Sequence, residues 1–455
     1  MRRLWPVISI PDSPHASEHE TPVADTVMPH PAGTPATPAD TVRPVGAENS
    51  ASARTDRETI SVVSVSDSES YLKWATQLLS TLPDVEAHVY LIDNPILPTN
   101  EQITHAIAGT AWEGHEVPII SRSELGEVIA NHAPDIVLGA ATGPIVAQLF
   151  LTASALEPRP ALVSGLPGMG LPASGKGMNY RRLMDAFLAH SFTEVDEYRA
   201  VSALRRVPAD ILLARLPMLR SPGVPERPVA GSPTTAPTTL VFAPQAKVPD
   251  SAAERESIIA ALAEFALRHP DSRTVVKMRS RPGEHETHRE QHSYFEIIDE
   301  LKAREVPGAD RLEIGYGPLT AFLTPGSALV TLSSTAALES IDRGIPTLLI
   351  ADFGFDRALL NEVFADSGAT GSLADVAAGR IGFPSEEWLA RNYFHIDDGS
   401  LRRSLGLLAT RSRTGQLPNR RKAVLKQKRM LLRAEARIFT PPVIVRAYRR
   451  IRYGR

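Results

Sequence analysis

Short apolar runs alternate with longer stretches in which apolar positions recur at helical spacing, and this alternation covers most of the chain beyond Thr59. Apolar runs of a few residues bounded by turn residues read as strands buried on both faces, and apolar positions at i, i+3 and i+4 read as amphipathic helices. The pattern predicts a strand at 60–65, a helix at 71–82 and a second strand at 87–92. It continues with a helix at 102–108, a strand at 116–120, a helix at 124–131 capped by Ser121, a strand at 136–138 and a helix at 145–155. Strands at 161–164 and 187–190 close this first series. A second series opens at Thr238, with strands at 240–243, 273–278, 313–315, 328–332 and 347–351. Helices are expected at 252–268 and 318–323, between the last two strands, and then at 359–365, 373–378 and 385–392. Such alternation indicates parallel strands with helical crossovers. The expected fold class is α/β: two Rossmann-like parallel-sheet domains facing a cleft.

Composition sets the boundaries. Residues 1–57 are rich in Pro, Ala, Thr and Ser without hydrophobic periodicity after the first ten, and read as a disordered tail. Domain one spans 58–220, a Pro/Gly-rich linker 221–237, domain two 238–410, and a basic tail 411–455. The formal net charge of −3 conceals an asymmetry, because the tail holds fifteen Lys or Arg against one acid, Glu435. There is no cysteine, so disulfides and thiolate metal sites are excluded. No apolar run approaches the roughly 20 residues of a membrane-spanning helix. The first residues, MRRLWPVISIPDSP, are a poor secretion signal because Pro6 and Pro11 break the apolar stretch. Cytoplasmic placement is the expectation, with contact at the inner face of the membrane through the tail. There a basic helix at 419–437 carries Val424, Leu425, Leu431 and Leu432 among its cations.

The chemistry concentrates at strand exits, where ligands collect in parallel sheets. Ser333, Ser334 and Thr335 follow a buried strand and open a helix, a place where unpaired backbone N–H groups can receive an anion. Glu339 lies one turn further on, within reach of a sugar hydroxyl attached to such an anion. Gln245 and Lys247 lie on a loop facing the cleft, and Lys277 and Arg279 at the exit of the 273–278 strand would face an anion. A Gly/Pro-rich loop, GLPGMGLPASGKG, follows the 161–164 strand; it is not a P-loop, since Lys176 is followed by Gly177. His285 and His288 lack further residues at ligand spacing and read as surface histidines rather than a metal site.

The segment SSTAALESIDRGIPTLLI resembles the nucleotide-sugar motif of GT-B-type glycosyltransferases. Together with SGLPGMGLP, NYRRLMDAF, FAPQAKVP and VVKMRSRPGEHETH, it makes residues 59–398 similar to an actinobacterial glycosyltransferase family related to makers of surface polysaccharide. The resemblance implies a nucleotide-sugar co-substrate, no other cofactor, and a glycan or lipid-linked acceptor. Ser333, Ser334 and Thr335 would contact the diphosphate, Glu339 the ribose, and Gln245, Lys247, Lys277 and Arg279 phosphate or base. Charge developing on the leaving diphosphate needs fixed donors or a metal. No Asp-x-Asp motif is present, so a metal-independent reaction is expected. Asp67 and Asp185 are the candidate bases for the acceptor hydroxyl, with His190 third; a turn role for Asp67 and a surface helix position for Asp185 are the plainer readings. An epimerase or hydrolase of sugar nucleotides, a glycerophosphate-type polymer transferase and an inactive scaffold are the competing functions. No specific nucleic-acid partner is expected, because no recognisable binding fold accompanies the charge.

Overall fold

The structure is a computed structural model that describes residues 59–220, 236–278, 292–356 and 358–438, with the side chains of the last helix described to Leu432. The expected N-terminal tail, nearly all of the linker, Arg279, His285 and His288 lie outside the described residues.

The first sheet contains β1 (Ile60–Ser66), β2 (Val85–Ile92), β3 (Ile119–Ile120), β4 (Ile136–Ala140), β5 (Ala161–Gly165), β6 (Ala186–Ala189) and β7 (Asp210–Leu213). All pairs are parallel, in the order β3-β2-β1-β4-β5-β6-β7. Helices α1 (Glu69–Ser80), α2 (Asn100–Ile107), α3 (Leu125–His132), α4 (Gly143–Ala153), α5 (Gly175–Tyr180) and α6 (Phe192–Arg205) make the connections. Every residue of β1, β4 and β5 is buried, as expected of central parallel strands covered on both faces. Gly165, the last residue of β5, has no room for a side chain: a Cβ there would lie 2.6 Å from the indole of Trp74 on α1.

The second sheet contains β8 (Thr239–Phe242), β9 (Arg273–Lys277), β10 (Leu312–Gly315), β11 (Ser327–Thr331), β12 (Thr347–Ile350) and β13 (Thr370–Gly371). It is again all parallel, in the order β10-β9-β8-β11-β12-β13. Its helices are α7 (Ala252–Arg268), α8 (Tyr294–Ala303), α9 (Ala336–Asp342), α10 (Leu373–Ala377) and α11 (Glu386–Arg391). Leu240, Phe242, Val276, Val330 and Ile350 form its core with the apolar side of α7 and with α8. The two Rossmann-like sheets thus make the expected α/β architecture.

In each sheet the strand order reverses once, between β1 and β4 and between β8 and β11. At such a point the crossovers diverge to opposite faces and leave a crevice at the strand exits.

Two helices are shorter than expected, and local side-chain bonds account for the first. The helix expected at 359–365 is a single 3-10 turn, Glu362–Phe364. Asp356 accepts from the N–H groups of Ala358 and Leu359, while Asn361 donates to the Gly354 carbonyl and accepts from Asp356 N–H. These bonds satisfy the backbone in a turn and compete with the helix. The 318–323 helix likewise reduces to Leu319–Ala321.

The larger difference is at the C-terminus. Helix α12 (Ser400–Arg413) leaves the second domain and packs on the first. Leu401, Leu405, Leu408 and Ala409, at i, i+4, i+7 and i+8, join the core formed by β1, β4, β5 and α1. Helix α13 (Arg421–Ile438) follows along α4. Residues 411–432 are therefore a docked part of the first domain, where a free tail was expected.

Two aspartates anchor this return. Asp135 immediately precedes β4, accepts from Ser61 N–H at 3.0 Å, and pairs with Arg413 at 2.7 Å. Asp185 immediately precedes β6, accepts from Leu162 N–H at 2.9 Å and binds both terminal nitrogens of Arg159, at 2.7 and 3.0 Å. Arg420 adds a bond to Asp185 at 3.2 Å and one to the Met184 carbonyl. Both carboxylates are buried at the edge where the strands begin. Asp185 is therefore corrected from candidate base to structural anchor, because it sits at the edge opposite the crevice with its oxygens bonded to arginines and backbone.

Candidate functional site

The strand exits of the two sheets enclose a cavity of about 560 Å³. Its first-domain wall is the Gly/Pro loop after β5: Leu166, Pro167, Gly168, Met169 and Leu171. Its second-domain wall carries Ala243, Pro244 and Gln245 after β8, Lys277 at the end of β9, and Ser333, Ser334, Thr335, Ala336 and Glu339 after β11, with Leu319 and Leu360 at the rim. The walls approach closely: a Cβ on Gly168 would lie 3.4 Å from Thr335 Cγ2.

Six of the residues expected at the site are thus brought together: Gln245, Lys277, Ser333, Ser334, Thr335 and Glu339. They are not equivalent. Gln245 Oε1 accepts from both the backbone N–H and the hydroxyl of Ser333, at 3.0 and 2.7 Å, tying the β8 exit to the β11 exit across the switch point. Ser333 is therefore committed to the protein in this geometry, and Gln245 presents its amide nitrogen as the donating end. Ser334 Oγ accepts from Ala336 N–H at 3.1 Å, which leaves its own O–H to donate. Thr335 precedes α9 without a side-chain capping bond. Lys277 and Glu339 are the two ionisable side chains among the described residues that line the cavity. Lys247 is exposed and is not part of the cavity lining.

The first-domain candidates behave differently. Asp67 follows β1 and is fully buried; its Oδ2 accepts from the backbone N–H and the hydroxyl of Thr142 beyond β4. It closes the first switch point as Gln245 closes the second, and it is not in the cavity lining. Its side-chain bonds run to Thr142, 75 positions away, rather than within a local turn. His190 is buried behind the loop. Trp74 Nε1–H can only donate, so His190 Nε2 must accept it at 3.0 Å, and Nδ1–H donates to the Ala214 carbonyl at 3.0 Å. With its lone pair engaged in the interior, His190 is corrected from candidate base to structural residue.

Glu194 is the residue that sequence reasoning missed. Its buried carboxylate accepts from Gly170 N–H and His190 N–H, each at 2.7 Å, and from the Tyr393 hydroxyl at 2.9 Å. Tyr198, one turn along α6, donates its hydroxyl to the Gly170 carbonyl at 2.7 Å. Burial, followed by the Glu194 charge, pushes the Tyr198 phenol well above its ordinary value, so it stays a donor. The signal was present: Ser191-Phe192-Thr193-Glu194 has the Ser-x-x-Glu spacing of a capping box, and Ser191 does cap α6. The glutamate, however, reaches past the cap to hold the cavity loop.

Residues 62–407, which span both sheets, match the model of a family described as "Putative glycosyltransferase (DUF6716)". The chain belongs to that family. No curated protein matches this family member. Among solved structures it is similar to an S. aureus MnaA–UDP co-structure, at 11% identity over 84% of this chain and 97% of that one, with a TM-score of 0.46. It is also similar to the Neisseria meningitidis UDP-GlcNAc 2-epimerase bound to UDP-GlcNAc, at 9% identity, 82% and 98% coverage and a TM-score of 0.46. A Polygonum tinctorium UDP-glucosyltransferase capable of glucosylating indoxyl matches at 11% identity, 82% and 98% coverage and a TM-score of 0.44. Among the described residues no helix is long and apolar enough to cross a membrane, and no cluster of His, Cys, Asp or Glu is arranged to hold a metal ion.

Proposed function

We propose that this family member is a glycosyltransferase that takes a sugar from a nucleotide-sugar donor held in the interdomain cavity. The observation that carries the reading is the convergence of Gln245, Lys277, Ser334, Thr335 and Glu339 on the second-domain wall of that cavity, beside a strand switch point. In this reading the Lys277 ammonium and the hydroxyls of Ser334 and Thr335 meet the donor diphosphate, and the Glu339 carboxylate accepts from the ribose hydroxyls. Departure of the nucleoside diphosphate in this reading builds negative charge beside Lys277, Ser334 and Thr335, so the same contacts strengthen toward the transition state. In this reading transfer needs no bound metal, and activity should persist in EDTA.

The first-domain wall is apolar, of Leu, Pro, Gly and Met, and shapes the acceptor side of the cavity rather than titrating there. The acceptor is read as a glycan or lipid-linked sugar of the cell envelope.

A thermal-shift series with UDP, GDP, CDP, CMP and dTDP tests the reading, because a ligand bound only to the folded state raises the melting temperature by mass action. One nucleotide should stabilise the protein and the shift should vanish in Glu339→Ala. No shift with any nucleotide would favour a non-catalytic scaffold; release of free sugar without transfer would favour an epimerase or hydrolase.

A further inference from the structure

We propose that the outward face of α13 is a docking surface for an anionic lipid bilayer, presented in a fixed orientation by the first domain. The inward face is committed to the protein. Ala423 and Val424 pack on the core that includes Val146, Leu149 and Phe150 of α4. Gln427 is buried and donates to the Tyr180 carbonyl at 3.1 Å, while Arg420 is fastened to Asp185. This differs from a free amphipathic helix, in which Val424 and Leu425 would insert side by side.

The outward face carries Arg421, Lys422, Lys426, Lys428 and Arg429, all exposed, and no acid between 421 and 432. On the same face stand Leu425 and Leu432, 59% and 64% exposed. They are two turns apart on one side of the helix, about 10 Å along the axis. Water or a nucleic acid would satisfy the cations but leave both leucines against a polar partner. A bilayer containing anionic phospholipid accepts both: the leucines enter the headgroup boundary, and the Lys and Arg stems lie along it with their charges at the phosphates.

The anchoring also relates this face to the cavity. Tyr180, which receives the Gln427 bond, ends α5, the helix that follows the cavity loop. A docked α13 would hold the loop's domain at the membrane surface, where a lipid-linked acceptor resides. That last step rests on the proposed function; the docking does not.

The test is co-sedimentation of the full chain with vesicles of phosphatidylcholine alone and of phosphatidylcholine mixed with phosphatidylglycerol. Retention is expected only with phosphatidylglycerol, falling with added salt. Replacing Lys422, Lys426 and Arg429 by Gln should weaken partitioning about fivefold per charge. Leu425→Ser with Leu432→Ser keeps every charge and should weaken it about tenfold. All the substituted side chains are exposed, so unchanged melting temperatures are expected for both variants. Failure of the full chain to bind phosphatidylglycerol vesicles would overturn the proposal, as would retention unchanged in both variants. Binding to an RNA or DNA oligonucleotide that displaces the vesicles, and is insensitive to the leucine change, would reassign the face to nucleic acid. Nucleotide binding in the cavity is read separately, so either proposal can fail without the other.

Discussion

Asp185 separates a catalytic from a structural account of the first domain, and replacing it by Asn tests the difference at nearly constant shape. The carboxylate holds two guanidinium groups that are themselves little exposed, Arg159 at 13% and Arg420 at 7%. Removing its charge leaves both arginines without their anion and turns an amide N–H₂ toward donors. Breaking a buried pair from one side costs about 3–5 kcal/mol, chiefly because the partner charge stays buried. For a domain of this size each kcal/mol moves the melting temperature by about 2–4 °C, so a fall on the order of 10 °C is expected. Asp135→Asn is the matched control, because Asp135 meets Arg413 in the same way at the same sheet edge. Both variants should melt early, by comparable amounts, in circular dichroism of the full chain, and both should keep nucleotide binding when assayed well below the transition. A general base would behave otherwise. If Asp185→Asn melts within a degree or two of the wild type while transfer is abolished, the structural account is wrong.

Other expectations concern the cavity and one helix cap. Gly168→Val should abolish the nucleotide-induced thermal shift while Gly168→Ala retains it, because a Cβ there just touches Thr335 and a branched side chain would enter the cavity. Glu194→Ala removes the acceptor shared by Gly170, His190 and Tyr393 and should speed limited proteolysis within the Gly/Pro loop. Asp375 completes the capping box of α10 with Ser372, and hydrogen bonds from Ser372, then from Arg380, hold its carboxyl down at about 2. A depressed carboxyl contributes stability that is complete above its ordinary value of 3.8 and is lost as pH falls through the folded value. The melting-temperature gap between wild type and Asp375→Asn should therefore close between about pH 4 and pH 2, and a gap constant across that range would refute the assignment.

The strands were legible because central parallel strands are buried on both faces, so β4, β5, β8, β11 and β12 are written almost wholly in apolar residues. The second-domain cavity residues were legible for a related reason: each lies at the end of a strand or in the loop and helix that follow it, and chain direction puts strand exits on one edge. The same rule could have excluded Asp185, which enters β6 rather than leaving it. Asp67 does leave β1, but its use was not legible, since the sequence does not reveal that Thr142, 75 positions away, occupies it. The anchoring role of the C-terminal arginines was not legible, because their partners are remote: Arg413 and Arg420 meet carboxylates 278 and 235 positions earlier. The leucine stripe of α12, by contrast, has plain helical spacing and was available to the eye.

The cavity wall depends on both this remote closure and the local loop. Gly168 and Met169 belong to the first domain, yet the carboxylate that holds the neighbouring Gly170 also takes the hydroxyl of Tyr393, in the segment leaving α11. Thr193, beside Glu194, donates to the Asn392 side chain at 3.1 Å, so the contact is doubled. The chain then runs through α12 to the underside of the first sheet, where Arg413 and Asp135 fasten it. One continuous segment thus joins the exit of the second domain, the loop that walls the cavity and the strand-entry edge of the first sheet. Any displacement of 392–413 must either break the Glu194–Tyr393 bond or carry the loop with it. The separation of the two cavity walls is set by this return path as well as by the direct approach of Gly168 to Thr335.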